Sequence, residues 1–274
     1  KEGDTFSSGA HTLHFIMAPM IHWPETMMTY DETDKVLFSA DAFGTFGALN
    51  GNIFNDEVDF DREWLDETRR YYTNIVGKYG IQVQNVLKKT AELDIRVICP
   101  LHGPIWRTNL DYIIEKYDTW SRYEPEEAGV MIAYASMYGN TENMAEIFAA
   151  ILAEAGVKNI RMHNISKTHV SELISDSFKY SHIILAAPTY NNGIYPLMHS
   201  YLEDMKALSL QNRTIAVLGN GTWAPQSSKL ISAKIGEMKN MRLLDLAITI
   251  KSSVKDSHME EIQSLARQIA AEVL

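Results

Sequence analysis

The chain has 274 residues, enough for two domains, with 46% apolar and 22% charged residues, the proportions of an ordinary folded protein. Its formal charge of −10 argues against nucleic acid, whose binding depends on clustered lysine and arginine. No run approaches the ~18 apolar residues of a membrane span, so no membrane is expected, and one cysteine, Cys99, excludes an intrachain disulfide and fits a reducing cytoplasm.

The chain opens on Lys1 rather than Met, in a stretch that reads like the middle of a β-rich domain, so a processed or truncated N-terminus is expected. Residues 11–18 alternate like a strand, and Lys35–Ala40 reads as a second. Between them Ala18-Pro-Met-Ile-His22-Trp-Pro-Glu-Thr is a turn-rich loop, and the second strand delivers Asp41-Ala-Phe-Gly44 at its end. Helical spacing follows over 61–76 and 83–93, then an apolar strand over 95–99 that ends at Pro100-Leu-His102-Gly-Pro104. Three potential metal ligands, His22, Asp41 and His102, therefore each sit just beyond a strand end. Singly, each reads as an ordinary loop residue. Together, two imidazoles and a carboxylate suit iron or zinc, although three ligands make only half a site. The polar stretch Tyr117–Glu127 is taken as the boundary, dividing the chain into domains 1–125 and 126–274.

From Gly129 strand and helix patterns alternate. Strands are predicted over 129–135, 158–164, 182–187, 214–219 and 243–250. Helices are predicted over 141–155, 170–179, 196–208, 227–238 and 257–274. This is an α/β pattern, a doubly wound five-stranded parallel sheet, in which ligands bind beyond the carboxyl ends of the strands. Three loops lie there. The first, Ser136-Met137-Tyr138-Gly139-Asn140-Thr141, joins a strand to a helix start and can hold a phosphate on backbone N–H groups and neutral side chains. It is neither a Walker loop nor a dinucleotide fingerprint, and it contains no lysine. That suits a permanently held phosphate monoester such as FMN better than a nucleoside triphosphate. The second is Pro188-Thr189-Tyr190-Asn191-Asn192-Gly193, whose glycine is expected to let the backbone approach a planar ligand. The third is Gly219-Asn220-Gly221-Thr222-Trp223, with a flat apolar surface in Trp223. Each is also an ordinary turn; three on one sheet point to a flavin.

On these motifs residues 129–274 resemble a flavodoxin, and residues 1–125 resemble the C-terminal half of a metallo-β-lactamase-like αββα domain. The two in this order resemble flavodiiron proteins, also called A-type flavoproteins. The resemblance rests on Ala18-Pro-Met-Ile-His22-Trp-Pro-Glu, Ser39-Ala-Asp41-Ala-Phe-Gly44, Pro100-Leu-His102-Gly-Pro-Ile-Trp106 and the first and third loops. It implies a flavodoxin-like strand order of 2-1-3-4-5, FMN, and two non-haem irons with His22 and His102 as terminal ligands and Asp41 as the bridging carboxylate. The family's His-x-Glu-x-Asp-His motif, which supplies the remaining ligands, does not occur in this chain. The resemblance therefore implies an associated N-terminal piece of the same protein.

By the same resemblance the substrate is dioxygen, reduced to water, or nitric oxide, reduced to nitrous oxide, or both. It implies a head-to-tail homodimer, or a tetramer built on it, that brings one subunit's FMN to the other's irons. The chain ends at Leu274, after the last flavodoxin-like helix, so electrons are expected from a separate rubredoxin or a reduced deazaflavin. Two rival readings are an FMN electron carrier on an inactive metal domain and a zinc hydrolase.

Overall fold

The computed structural model describes residues 1–274, which divide into two compact units, Lys1–Glu124 and Pro125–Leu274. No helix is long and apolar enough to cross a membrane.

In the first unit β1 (Thr5–Ser7), β2 (Thr12–Met17), β3 (Met27–Asp31), β4 (Val36–Phe38) and β5 (Val97–Cys99) form one sheet in that order. Neighbours are antiparallel except β4 and β5, which run parallel. Strand alternation sends Ile16, Met28, Tyr30, Leu37 and Ile98 to one face, where they are buried. That face packs on α3 (Gly80–Thr90) and α4 (Leu110–Ser121) through Val83, Val86, Ile113, Tyr117 and Trp120. The opposite face carries the cross-strand row Phe15, Thr29, Phe38 and Cys99, with Met17 opposite Met27. Nothing in this unit buries it: Met27 is 40% and Phe38 48% exposed.

Three features of this unit depart from the sequence reading. β3 lies where only a loop and the following strand were expected, because its two apolar inward positions, Met28 and Tyr30, are too few to register as a pattern. The helix expected over 61–76 is broken into α1 (Phe60–Glu63) and α2 (Leu65–Tyr71), followed by a wide turn at Tyr72–Val76. The supposed boundary segment begins inside α4, where Tyr117 and Trp120 are core residues despite polar neighbours. α3 and α4 approach closely at Gly80, where an added Cβ would lie 2.3 Å from the Ser121 carbonyl oxygen. Gly80→Ala is expected to destabilise this unit by about 1–3 kcal/mol, as overpacking does; a chemical denaturation midpoint equal to wild type refutes that close packing.

In the second unit β6 (Glu127–Tyr134), β7 (Ile160–Asn164), β8 (Tyr180–Tyr190), β10 (Thr214–Asn220) and the short β11 (Arg242–Leu243) and β12 (Ile248–Ile250) pair in parallel. The order is β7-β6-β8-β10 with β11 and β12 both on β10, the expected 2-1-3-4-5 arrangement. The fifth strand is split because the chain leaves the edge around Asp245, a residue type that disfavours strands, and returns at Ile248. β8 runs three residues beyond its expected end and turns into β9 (Gly193–Ile194) as a hairpin.

Helices α5 (Asn140–Glu154), α6 (Val170–Lys179), α7 (Pro196–Ala207), α8 (Ser227–Gly236) and α9 (Asp256–Val273) accompany the sheet. β6, β8 and β10 are buried along nearly all their lengths, as crossover helices require of a parallel sheet. Phe148 and Leu152 of α5 and Ile262, Leu265 and Ile269 of α9 share one apolar cluster with the strands.

Candidate functional site

The first unit brings the three suspected metal ligands together. His22 Nε2 lies 3.4 Å from Asp41 Oδ2, and His102 Nε2 lies 3.2 Å from Asp41 Oδ1. Each imidazole thus faces a different oxygen of one carboxylate. Asp41 is 14% exposed at its side chain, His22 27% and His102 54%, so the group opens to solvent on the His102 side.

Local hydrogen bonding holds each residue there. The loop after β4 is tied by Ser39 Oγ donating to the Ala42 carbonyl at 2.7 Å and by Leu101 N–H donating to the Ala40 carbonyl at 2.9 Å. Ala40 (φ 52°) and Phe43 (φ 65°) adopt left-handed backbone on either side of Asp41, a strained arrangement sustained by its surroundings. Buried Tyr117 contributes, its Oη accepting from Phe43 N–H at 2.8 Å. The His22 turn is closed by Ala18 N–H to the Thr26 carbonyl and anchored by buried Ile21. Gly103 beside His102 has φ 84°, and a Cβ there would collide with Thr45, so only glycine fits.

Tyr71 of α2 packs its ring 5.8 Å from that of His102, a neighbour the sequence did not suggest. Its partial burial, with the Asp41 charge adding to it, pushes its phenol well above the usual range, so it stays protonated at neutral pH.

One carboxylate with an imidazole at each oxygen matches the donor set of a carboxylate that bridges two metal ions. The mixture of nitrogen and oxygen donors fits iron or zinc. A second cluster, His11, Asp31 and Asp34, stands at the other end of the same sheet, with ligand atoms all within 4.8 Å. Hydrogen bonding accounts for it: Asp31 takes His11 Nδ1 at 2.7 Å and the N–H of Thr33 at 2.9 Å, closing the β3–β4 turn.

The second unit carries an open cleft of about 690 Å³ beyond the carboxyl ends of its strands. All three expected loops line it: Ser136, Met137, Tyr138, Asn140 and Thr141 from the first; Pro188, Thr189, Tyr190, Asn191 and Asn192 from the second; Asn220, Gly221, Thr222 and Trp223 from the third. Three expected glycines lie outside the lining. Gly139 (φ 84°) turns the chain into α5, Gly193 pairs with Tyr190 in the hairpin, and Gly219 packs beneath α8, where a Cβ would lie 2.8 Å from that of Ser228. Gly193 therefore shapes the hairpin turn.

The third loop's lining extends one residue further, to Ala224, and one lining residue outside the three loops, Ser252, was not anticipated. Ser252 follows the split fifth strand, and no local motif marks it. Asn191 (φ 48°) and Asn192 (φ 57°) make the left-handed pair of a tight hairpin turn, a conformation asparagine tolerates.

The cleft fits a flat, phosphorylated ligand. Trp223 is 86% and Tyr138 89% exposed, leaving two large aromatic faces for stacking. No side chain caps the N-terminus of the 15-residue α5, so its first-turn N–H groups remain for an anion. None of the lining side chains is charged, so a phosphate would be held by neutral donors and the helix dipole. Tyr134, at the end of β6, donates to Glu142 at 2.8 Å, and burial with that carboxylate raises its phenol to about 12.

Comparison with known proteins accounts for both units. The Flavodoxin family model matches residues 132–265, and the ODP family beta lactamase model matches residues 1–103. An uncharacterized protein of Methanocaldococcus jannaschii is 28% identical over 98% of this chain and 67% of its own. The anaerobic nitric oxide reductase flavorubredoxin of Vibrio vulnificus is 32% identical over 98% of this chain and 54% of its own length. The chain therefore spans about half the length of the flavorubredoxins it resembles.

Among solved structures, rubredoxin oxygen:oxidoreductase of Desulfovibrio gigas superimposes with TM-score 0.91 at 28% identity, covering all of this chain and 68% of that one. The flavodiiron protein of Giardia intestinalis does so with TM-score 0.93 at 25% identity, covering all of this chain and 67% of that one. With a lactamase-like unit that gathers His22, Asp41 and His102, followed by a flavodoxin-like unit with an intact cleft, the chain belongs to the flavodiiron protein family.

Proposed function

We propose that this chain is part of a flavodiiron oxidoreductase that reduces dioxygen to water, nitric oxide to nitrous oxide, or both. The observation that carries the reading is Asp41 with one imidazole at each oxygen, in a chain that also holds a flavin-shaped cleft. The first loop, residues 136–141, would hold the phosphate of FMN, and Tyr190 or Trp223 would lie beside its ring. His22 and His102 would each hold one of two non-haem irons, with Asp41 shared between them. When bound, FMN would supply the electrons and the irons the redox chemistry for reducing the diatomic gas. The protein's share is to orient these ligands and to exclude water around the flavin ring.

Electrons come from a separate rubredoxin or from a reduced deazaflavin, in the cytoplasm. A head-to-tail homodimer, alone or within a tetramer, joins one subunit's flavin to its partner's irons. An N-terminal piece of the same protein supplies the remaining iron ligands and covers the open sheet face around Phe15, Phe38, Met17 and Met27. An apolar face of that kind is costly to leave in water, which supports such an occupant.

Metal and flavin analysis of the intact protein, coupled to anaerobic turnover with each gas, tests the reading. Two irons and one FMN per protomer with gas-dependent oxidation are expected. Zinc without flavin would instead make it a hydrolase, and FMN without iron an electron carrier.

A further inference from the structure

The turn after β12 contributes a residue to the cleft that neither the loop motifs nor the sheet pattern assigns. Ser252 sits there in left-handed backbone, φ 69°. For a serine this conformation costs on the order of 1 kcal/mol and persists only when its surroundings impose it.

They do. Asn220, at the end of β10 and only 4% exposed, turns both its amide nitrogen and its amide oxygen to this one residue. Its Nδ2 donates to the Ser252 carbonyl at 2.9 Å, and its Oδ1 accepts from Ser252 N–H at 3.1 Å. Gly221 N–H donating to the Ile250 carbonyl at 3.2 Å ties the same two strand ends. The clamp aims the Ser252 hydroxyl at the start of α5, where Oγ accepts from Asn140 Nδ2 at 3.4 Å. Asn140 is the first residue of α5, at the end whose first-turn N–H groups have no side-chain cap.

We infer that Ser252 is a fourth-loop ligand to the phosphate of the bound flavin and helps to select FMN over unphosphorylated riboflavin. This rests on the flavin reading of the cleft. With Oγ accepting from Asn140, the hydroxyl proton is free to donate to a phosphate oxygen. In a cleft without charged side chains, one such donor to a dianion carries a large share of the discrimination. Asn220 acts as a positioning residue, holding Ser252 where its hydroxyl can reach.

The test is titration of the flavin-free full chain with FMN and with riboflavin, followed by quenching of flavin fluorescence, for wild type, Ser252→Ala and Ser252→Gly. Glycine accepts φ 69° without strain, so Ser252→Gly should fold at least as well as wild type. Both variants are expected to bind FMN about tenfold more weakly, the loss of one hydrogen bond to a charged group, with riboflavin affinity changed less than about twofold. FMN affinity unchanged in Ser252→Gly overturns the proposal. So does an equal loss for both flavins, since Ser252 would then shape the cleft without reading the phosphate. Wild-type protein that binds neither flavin overturns the flavin reading itself, and this inference with it.

Discussion

Replacing Asp41 with alanine is expected to abolish oxidase or reductase turnover while the flavin stays bound. The carboxylate is the only group placed between both histidines, 3.4 Å from His22 Nε2 and 3.2 Å from His102 Nε2. If Asp41 holds both irons as proposed, its loss removes one donor from each, and two imidazoles lose the partner that faces them. Even removal of outer partners of metal ligands costs about 10–100-fold, so a loss beyond ~100-fold is expected for a bridging ligand. The flavin should be untouched, because every residue lining its cleft belongs to the second unit. Iron content, flavin absorbance and turnover of the intact protein separate the two effects. Turnover that persists in Asp41→Ala means that Asp41 does not hold the irons, whatever the rest of the assembly does.

The largest stability effect in the second unit is expected from Arg213, which is 1% exposed. Its Nε donates to the Ser177 carbonyl at 2.9 Å and its Nη2 to the Phe178 carbonyl at 2.7 Å. Nη1 reaches the carbonyls of Gln211 and Asn212 at 2.9 and 3.2 Å. Two of these acceptors belong to the last turn of α6, whose carbonyls lack intrahelical partners and whose dipole favours a cation.

The guanidinium thus ties the end of α6 to the entry of β10. Arg213→Ala would leave buried carbonyls without that donor and open a cavity, and a cost of about 3–5 kcal/mol is expected. Arg213→Lys should fall between alanine and wild type, because an ammonium cannot span the same four acceptors in one plane. Chemical denaturation followed by far-ultraviolet circular dichroism measures both. An alanine variant within about 1 kcal/mol of wild type would show that the carbonyls find other partners.

Much of the second unit was legible in its sequence because burial on both faces turns β6, β8 and β10 into unbroken apolar runs. The first cleft loop was legible too, since strand, small polar residues and helix start are consecutive. In the first unit the strands are three to six residues long and buried on one face at most, so few positions carry a pattern, and β3 passed as loop. α4 was overlooked for another reason. Its core positions Ile113, Tyr117 and Trp120 recur at helical spacing, yet the charged residues between them read as a linker.

The sequence by itself determined the α/β class, the order of the two units and the three cleft loops, and it singled out His22, Asp41 and His102 as candidate ligands. Their chemistry is local: residue identity and position after a strand are enough to suggest it. Only the tertiary structure decided that two histidines 80 residues apart meet opposite oxygens of one aspartate. It also decided that Gly193 serves a hairpin, and that Ser252 is drawn to the cleft by Asn220, 32 positions earlier. Such contacts depend on strand pairing and register, which chain folding sets over long distances and no short motif records.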